Sequence, residues 1–248
     1  MQGGLDISLA PHIVGTLWGI PITSTLLTSW LVVAILLVSA YFIGRSLKLV
    51  PGKGQTAVEE LVSLVFNYME EALESKALAR RYFPLIMTIF LFVAAANFLG
   101  LFPIIESIGI KTANGLSPLF YPVNADLNIT LALAIISFLT IEISGITYLG
   151  VLKYGGKFVN LKSPVGFAVG VLEIIGNLAR LVSLSFRLFG NILAGHLLII
   201  VIMFFVPLFL PLPFMFFEVF IGVMQAAIFA LLTLFFIKLA IEEPHAAH

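Results

Sequence analysis

The sequence has no cysteine and few charged side chains, which make up only 10% of its 248 residues. Without cysteine the chain cannot use disulfides or thiol chemistry. The low charge, together with 60% hydrophobic residues and a mean hydropathy of +1.13, excludes a water-soluble globular domain. The formal net charge is zero, which gives no electrostatic indication of a nucleic acid or of an acidic partner. The chain is therefore predicted to be an integral membrane protein.

Two further absences narrow the class of membrane protein. No segment alternates apolar and polar residues at a period of two, so the sequence favours membrane helices over a transmembrane β-barrel. Residues 1–21 contain neither lysine nor arginine and therefore lack the basic region of a secretory signal peptide. No transit peptide is evident, so we expect the plasma (inner) membrane of a bacterium rather than an organelle.

Five apolar segments and one amphipathic segment divide the chain, which we expect to form a single all-α membrane domain over residues 1–248. The predicted elements are an external N-terminus at 1–25, a first span at 26–43, an amphipathic helix at 55–82, a second span at 83–105, a third span at 127–149, and two further helices at 167–205 and 214–241. The polar face of the amphipathic helix is acidic, and anionic lipid would repel it. This favours contact with a protein on the cytoplasmic side, and a solvated surface helix is the alternative.

The fourth apolar segment is too long to cross a bilayer upright. Its 39 residues, 167–205, would form a helix of about 58 Å, whereas the apolar core of a bilayer is about 30 Å thick. No proline interrupts the segment, so we predict an unbroken helix that leans by roughly 60°. The last segment, 214–241, is predicted to lean beside it as the second arm of an antiparallel hairpin.

Positive charge predicts the orientation of these segments. With the N-terminus outside and the C-terminus in the cytoplasm, ten lysines and arginines fall on the cytoplasmic side and only Lys111 falls outside. The two remaining cations, Arg180 and Arg187, lie within the fourth apolar segment. A guanidinium does not deprotonate at any accessible pH, so Arg187 keeps a permanent charge where charge is costly. Arg187 is therefore a candidate functional residue.

Arg187 belongs to a stripe that combines charge with small side chains. At 100° per residue, the residues within about 60° of the direction of Arg187 are Glu173, Gly176, Arg180, Ser183, Gly190, Asn191 and Ala194. Small residues allow another helix to approach closely. His196 points the opposite way, so we expect it to serve a different cavity or partner. Glu218 and Gln225 share a face of the last segment, and Glu218 would lie at a depth similar to that of His196.

Four motifs resemble subunit a of the F-type ATP synthase membrane sector, the stator beside the rotating ring of c subunits. They are Asn97-Phe98-Leu99-Gly100-Leu101-Phe102-Pro103, Asp126-Leu127-Asn128-Ile129-Thr130, Arg187-Leu188-Phe189-Gly190-Asn191 followed by Ala194-Gly195, and Gln225-Ala226-Ala227-Ile228-Phe229. The resemblance extends over nearly the whole chain. It implies a non-catalytic subunit that offers two offset proton half-channels, with the c ring, peripheral-stalk b subunits and lipid as partners and with no cofactor or metal.

The resemblance also assigns roles to individual residues. The arginine that matches Arg187 is the essential stator charge in that family, and the glutamine at Gln225 packs near it. Asn191, His196 and Glu218 match positions on the external proton path, and Glu173 lies toward the cytoplasmic path. Some members carry glutamate where His196 stands and histidine where Glu218 stands. The exchanged pair favours two neighbouring side chains that share one proton-handling role.

Simpler roles are open for several residues of the cytoplasmic half. Arg187 could pair with a buried carboxylate, Glu173 or Glu142. Arg180 is either a channel element or a side chain that reaches lipid head groups. Glu142 is either an interhelical hydrogen-bond partner or a proton carrier. Arg180, Ser183 and Glu142 are accordingly the secondary candidates for proton translocation.

Two other classes of function compete with this interpretation. A secondary antiporter would also bury arginine, glutamate and histidine, but it would carry a complete substrate site and an internal repeat with broken helices. No repeat relates the two halves of this sequence. A non-transporting scaffold suits the amphipathic helix but leaves the buried arginine and acids unexplained.

On the external side, His196 and Glu218 could form a static hydrogen-bonded pair.

Overall fold

A computed structural model of the chain describes residues 13–17, 19–101, 109–112, 115–158, 164–206 and 209–242. These residues form the helices α1 (Ser24–Ser46), α2 (Lys53–Leu73), α3 (Lys76–Gly100), α4 (Leu127–Leu149), α5 (Val151–Phe158), α6 (Pro164–Phe205) and α7 (Pro211–Ile241). Two short antiparallel hairpins pair β1 (Ile13–Leu17) with β2 (Ile20–Thr23) and β3 (Gly109–Thr112) with β4 (Gly115–Pro118). A 3₁₀ turn at Val123–Ala125 precedes α4. The prediction of an all-α membrane protein is confirmed.

Five of the described helices, α1, α3, α4, α6 and α7, are long and apolar enough to cross a membrane. Helix α6 is a single helix of 42 residues, with its one proline at the first position, where proline is tolerated. A helix of that length extends about 63 Å, well beyond the thickness of a bilayer core. The unbroken course of α6 is thus as predicted, and its lean in a bilayer stays a prediction.

The amphipathic helix predicted at 55–82 is wrong at its C-terminal end. Helix α2 ends at Leu73, because Glu74 adopts the left-handed conformation with φ 52° and ψ 22°. The Ser75 side chain then caps α3 by accepting a hydrogen bond from the backbone N–H of Leu78, at 3.4 Å. Residues 76–82 therefore begin the second span instead of ending the surface helix. Residues 102–105, the predicted end of that span, lie outside the described part of the chain.

The two long helices are buried to different degrees, and this difference shapes the site. In the most apolar part of α7, 44% of the residues are buried, compared with 17% in α6. Helix α7 packs against α3, α4 and α6, and Phe229, Leu234 and Ile237 fill the core between them. Helix α6 contributes Leu184, Leu188 and Ile192, which recur every four residues and form one inward side. The other side of α6 is left open.

Polar contacts tie together the end of the helical bundle at which α1 and α4 begin. Asp126 caps α4 by accepting from the backbone N–H of Asn128 at 2.9 Å, and it also accepts from the Thr25 hydroxyl of α1 at 2.7 Å. Thr28 accepts from the backbone N–H of Tyr121 at 3.1 Å. These bonds hold the segment before α4 against α1, and this segment supplies residues to the site described next.

Candidate functional site

Arg187 lies on the open side of α6. Its side chain is exposed, and it forms no hydrogen bond or ion pair with any residue that the structure describes. The exposed neighbours on the same stripe are Ser183, Gly190, Asn191 and Ala194. The stripe thus presents one cation among small side chains. In the described structure Arg187 therefore pairs with neither Glu173 nor Glu142, contrary to the alternative left open by the sequence.

Asn191 links the stripe of α6 to the buried face of α7. Its side-chain amide donates to Gln225 Oε1 at 2.8 Å. Gln225 is only 2% exposed, and its Nε2 atom has no hydrogen-bond partner among the described residues. A buried donor without a partner is costly by about 1–3 kcal/mol, so the position favours a water molecule or a further polar ligand. A water molecule or polar ligand at Gln225 would lie near Asn191, which is one helical turn from Arg187.

His196 and Glu218 are both buried, on facing helices. The His196 ring packs edge-on against Tyr121, with 5.2 Å between the ring centroids. The Glu218 carboxyl group occupies the space next to Gly195, where an added Cβ would lie 2.6 Å from Oε1. Because Gly195 has no side chain, the carboxyl group of Glu218 can lie against α6 at the position directly before His196. This agrees with the expectation that the two titratable groups lie at similar depth, apart from the exposed Arg187.

A pair of buried asparagines lies beside this region. Asn124 Nδ2 donates to Asn97 Oδ1 at 2.6 Å, and Asn97 Nδ2 donates to the backbone carbonyl of Gly222 at 2.9 Å. Gly222 is one turn from Glu218 on α7 and one turn from Gln225 in the other direction. Asn97 is part of a recognised sequence motif, but nothing in the sequence around Asn124 signals that it would meet Asn97. Only the folded arrangement brings them together.

A second polar cluster joins α4, α5 and α6. Glu142 accepts from the Tyr154 hydroxyl at 3.0 Å and from Asn177 Nδ2 at 3.1 Å. The Tyr154 ring lies directly on Gly145, where an added Cβ would be 2.2 Å from the ring. Burial, and then the negative charge of Glu142, raise the pKa of the Tyr154 phenol. Glu142 is thus an interhelical hydrogen-bond partner, one of the two roles left open for it by the sequence.

Arg180 belongs to this second cluster and not to the surroundings of Arg187. Its guanidinium donates to Asn177 Oδ1 at 2.8 Å, lies 4.0 Å from Glu173 Oε1, and stands over the Phe236 ring at 5.2 Å.

Sequence reasoning missed Asn177 and Tyr154. Asn177 lies about 80° from the direction of Arg187 on the helical wheel, just outside the stripe. Tyr154 lies in the short helix α5, which no sequence pattern predicted.

The described residues contain no group of three or more histidine and acidic side chains that could hold a metal ion. What they do contain are an exposed cation on a small-residue surface, buried titratable groups behind it, and five apolar helices. These features define a multi-pass helical membrane protein that exposes a permanent charge on one of its long helices.

Comparison with known proteins gives the family. The family described as ATP synthase A chain matches residues 26–238. The chain is 36% identical over 220 residues to "ATP synthase subunit a 3" of Pelobacter propionicus, which covers 88% of this chain and 87% of that protein. It is 36% identical over 222 residues to ATP synthase subunit a of Geobacter sulfurreducens, a match that covers 88% of this chain and 87% of that protein. It is 31% identical over 218 residues to ATP synthase subunit a of Moorella thermoacetica, a match that covers 88% of this chain and 90% of that protein. The chain belongs to the ATP synthase A chain family.

Proposed function

We propose that this chain is the stator subunit through which an F-type ATP synthase moves protons between the membrane surface and a rotating c ring. The observation that carries the proposal is the environment of Arg187, a permanent cation that is exposed and without an ionic partner among the described residues. A charge at this place in a membrane protein is stabilised only if a partner supplies the counter-charge. A carboxylate on a ring that passes the stripe fills that role.

The chemistry follows from the charge of the two groups. A ring carboxyl facing lipid must be protonated, because an ionised carboxylate is unsupported there. Facing Arg187, the ionised form is favoured, since a nearby opposite charge lowers the pKa of a carboxyl group. Arg187 therefore makes the ring site release its proton, and its charge repels a proton that would take the short route past it. Each proton that crosses 100 mV releases about 2.3 kcal/mol, which drives rotation.

The buried groups divide into two proton paths in this proposal. His196 and Glu218, with Asn191 and Gln225 between them and Arg187, form the external half-channel. Glu173, on the stripe 14 positions before Arg187, serves the cytoplasmic half-channel, and the exposed Ser183 lies on the stripe between the two. The two paths do not join, so protons cross only by travelling with the ring. The proposed orientation, with the N-terminus outside and the C-terminus in the cytoplasm of a bacterium, is supported by the excess of lysine and arginine on one side of the segments.

Helix α2 supplies a second surface for the complex. It packs on α3, its residues Met69 and Leu73 are buried, and Glu59 and Glu60 on its polar face are exposed. Because acidic side chains avoid anionic lipid, we propose that this face contacts the peripheral-stalk b subunits and not the membrane.

Two experiments test the function. In liposomes that hold the purified chain alone, we expect no proton turnover, with conduction appearing once the c ring and b subunits are added. Ion exchange by the chain alone would instead identify an antiporter. Because the chain has no natural cysteine, single cysteines can also map the partner surface. Ala194→Cys on the stripe should cross-link to a cysteine in the outer helix of a c subunit, whereas Leu37→Cys, exposed on α1, should not.

A further inference from the structure

The two arginines of the α6 stripe have opposite surroundings. They are seven residues apart, so they point in nearly the same direction and are separated by about 10 Å along the helix. Arg187 is exposed and meets no charged or hydrogen-bonding partner among the described residues, whereas Arg180 is half-buried and contacts three side chains. Helical geometry alone does not explain this difference. The neighbours of Arg180 must therefore account for it.

Asn177 is the contact that draws Arg180 inward. The side chain of Asn177 has one donor end and one acceptor end, and Arg180 can use only the acceptor, because a guanidinium has no acceptor of its own. Glu142 takes the donor end, Nδ2, at 3.1 Å, and so turns Oδ1 toward Arg180 at 2.8 Å. The carboxylate on α4 thus fixes the orientation of an amide on α6, which in turn fixes the guanidinium.

The space around these residues is a cleft between α4, α6 and α7. Glu142, Asn177, Arg180 and Phe236 line it, together with the buried hydroxyl of Ser137. The Phe236 ring faces the guanidinium and adds a cation–π contact. Arg180 therefore extends between the helices and away from the open side of α6 on which Arg187 stands.

We propose that Glu142 and Asn177 are positioning residues that hold Arg180 inside this cleft, so that Arg187 alone acts as counter-ion to the ring carboxylate. The inference rests on the proposed function, because it concerns the same ring-facing surface. A freed Arg180 would present a second cation about two turns from the first. Because α6 leans, each cation would stabilise an ionised ring carboxylate at a different point along the path of the ring, and the ring would pause at the wrong one. The tether therefore improves turnover without touching the transferred proton.

A rescue experiment in the assembled enzyme tests this. Asn177→Leu removes the hydrogen bond that orients Arg180 and, of its contacts with described residues, leaves only the 4.0 Å contact to Glu173 and the Phe236 ring, so we expect proton-driven ATP synthesis to fall by roughly tenfold, the scale set by losing a charge-assisted hydrogen bond. Adding Arg180→Gln to the same chain removes the freed cation and should restore most of the lost rate. Arg180→Gln by itself should be less harmful than Asn177→Leu. Recovery in the double variant also shows that the chain still folds and assembles.

Two substitutions at position 142 and one at position 154 give the matched controls. Glu142→Gln keeps an acceptor oxygen for Asn177, whereas Glu142→Leu removes it, so only the leucine variant should reproduce the loss caused by Asn177→Leu. Tyr154→Phe removes a hydrogen bond to Glu142 but leaves the contact between Asn177 and Arg180 intact. We expect it to leave the rate of ATP synthesis close to that of the natural enzyme.

The inference is overturned if the Asn177→Leu, Arg180→Gln double variant is as slow as Asn177→Leu alone. It is also overturned if Arg180→Gln alone is the slowest of the three, since Arg180 would then be needed in the proton path. Neither result affects the role of Arg187. The proposed function fails separately, if ATP synthesis survives the loss of that arginine.

Discussion

Replacing Gly195 by alanine should slow proton entry while leaving the fold intact. An added Cβ would lie 2.6 Å from Glu218 Oε1 and 2.7 Å from its Cδ atom. Ordinary contact begins at 3.4 Å, so the carboxyl group must retreat by about 0.8 Å. The retreating atoms are the end of a flexible side chain, and alanine is favoured over glycine inside a helix by about 1 kcal/mol. The effect on the free energy of unfolding should therefore be small.

The effect on function should be larger than the effect on stability. A displacement near 1 Å in a proton-handling group can cost up to about a hundredfold in rate, so we expect Gly195→Ala to lower ATP synthesis by roughly tenfold. The assay is proton-driven ATP synthesis in membranes normalised to the amount of assembled enzyme. Gly44→Ala in α1 is the matched control, because nothing lies within 4 Å of its added Cβ. Full activity in the Gly195→Ala enzyme would refute the close packing of Glu218 on α6 or its part in proton entry.

Three further predictions concern the end of the bundle at which α3 begins and α4 ends. Gly145→Ala would place a Cβ 2.2 Å from the Tyr154 ring, so we expect a loss of about 1–3 kcal/mol, measured as a lower melting temperature of the purified chain than with Gly44→Ala. The raised pKa of Tyr154 means that the folded state holds this proton more tightly than the unfolded state, whose phenol has a pKa near 10.0. Stability should fall as pH rises above that value, and Tyr154→Phe should lessen the fall; an unchanged alkaline melting profile would count against it. The hydrogen bond from Lys238 at 2.9 Å, followed by its positive charge, lowers the pKa of Glu74, so this contact should be lost as pH falls through the folded-state pKa. Glu74→Gln should remove that part of the acid sensitivity, and because the pair is exposed, high salt should have a similar effect.

The long elements of the fold were predictable because the membrane imposes a simple rule on them. Uninterrupted apolar runs indicated the five spans, and the lack of an internal proline indicated that α6 would be unbroken. The break after Leu73 was missed because the charged residues Lys76, Arg80 and Arg81 are more typical of a surface helix than of a span. Two signals marked it: Lys76 and Arg80 fall on the apolar face of the amphipathic helix and interrupt its pattern, and Ser75 is a preferred helix cap.

For those residues of the candidate site that lie on the single helix α6, the sequence was enough to predict which side chains point the same way. The shared direction of Arg187, Ser183 and Asn191 follows from 100° per residue, and the structure leaves all three exposed. Contacts between distant segments were not predictable in this way. Asn177 meets Glu142 across 35 positions of the chain, and Asn124 meets Asn97 across 27. No periodicity links such pairs, so the different surroundings of Arg180 and Arg187 emerged only from the packed structure.

The most direct measurement is proton-driven ATP synthesis by an assembled enzyme that carries Arg187→Ala. The stripe would then lack the cation that makes the ring carboxyl release its proton, so we expect coupled synthesis to be abolished. Arg45→Ala, at the exposed end of α1, should retain synthesis and serves as the matched control. Coupled ATP synthesis in the Arg187→Ala enzyme at a rate comparable to this control would contradict the assignment of Arg187 as the stator charge.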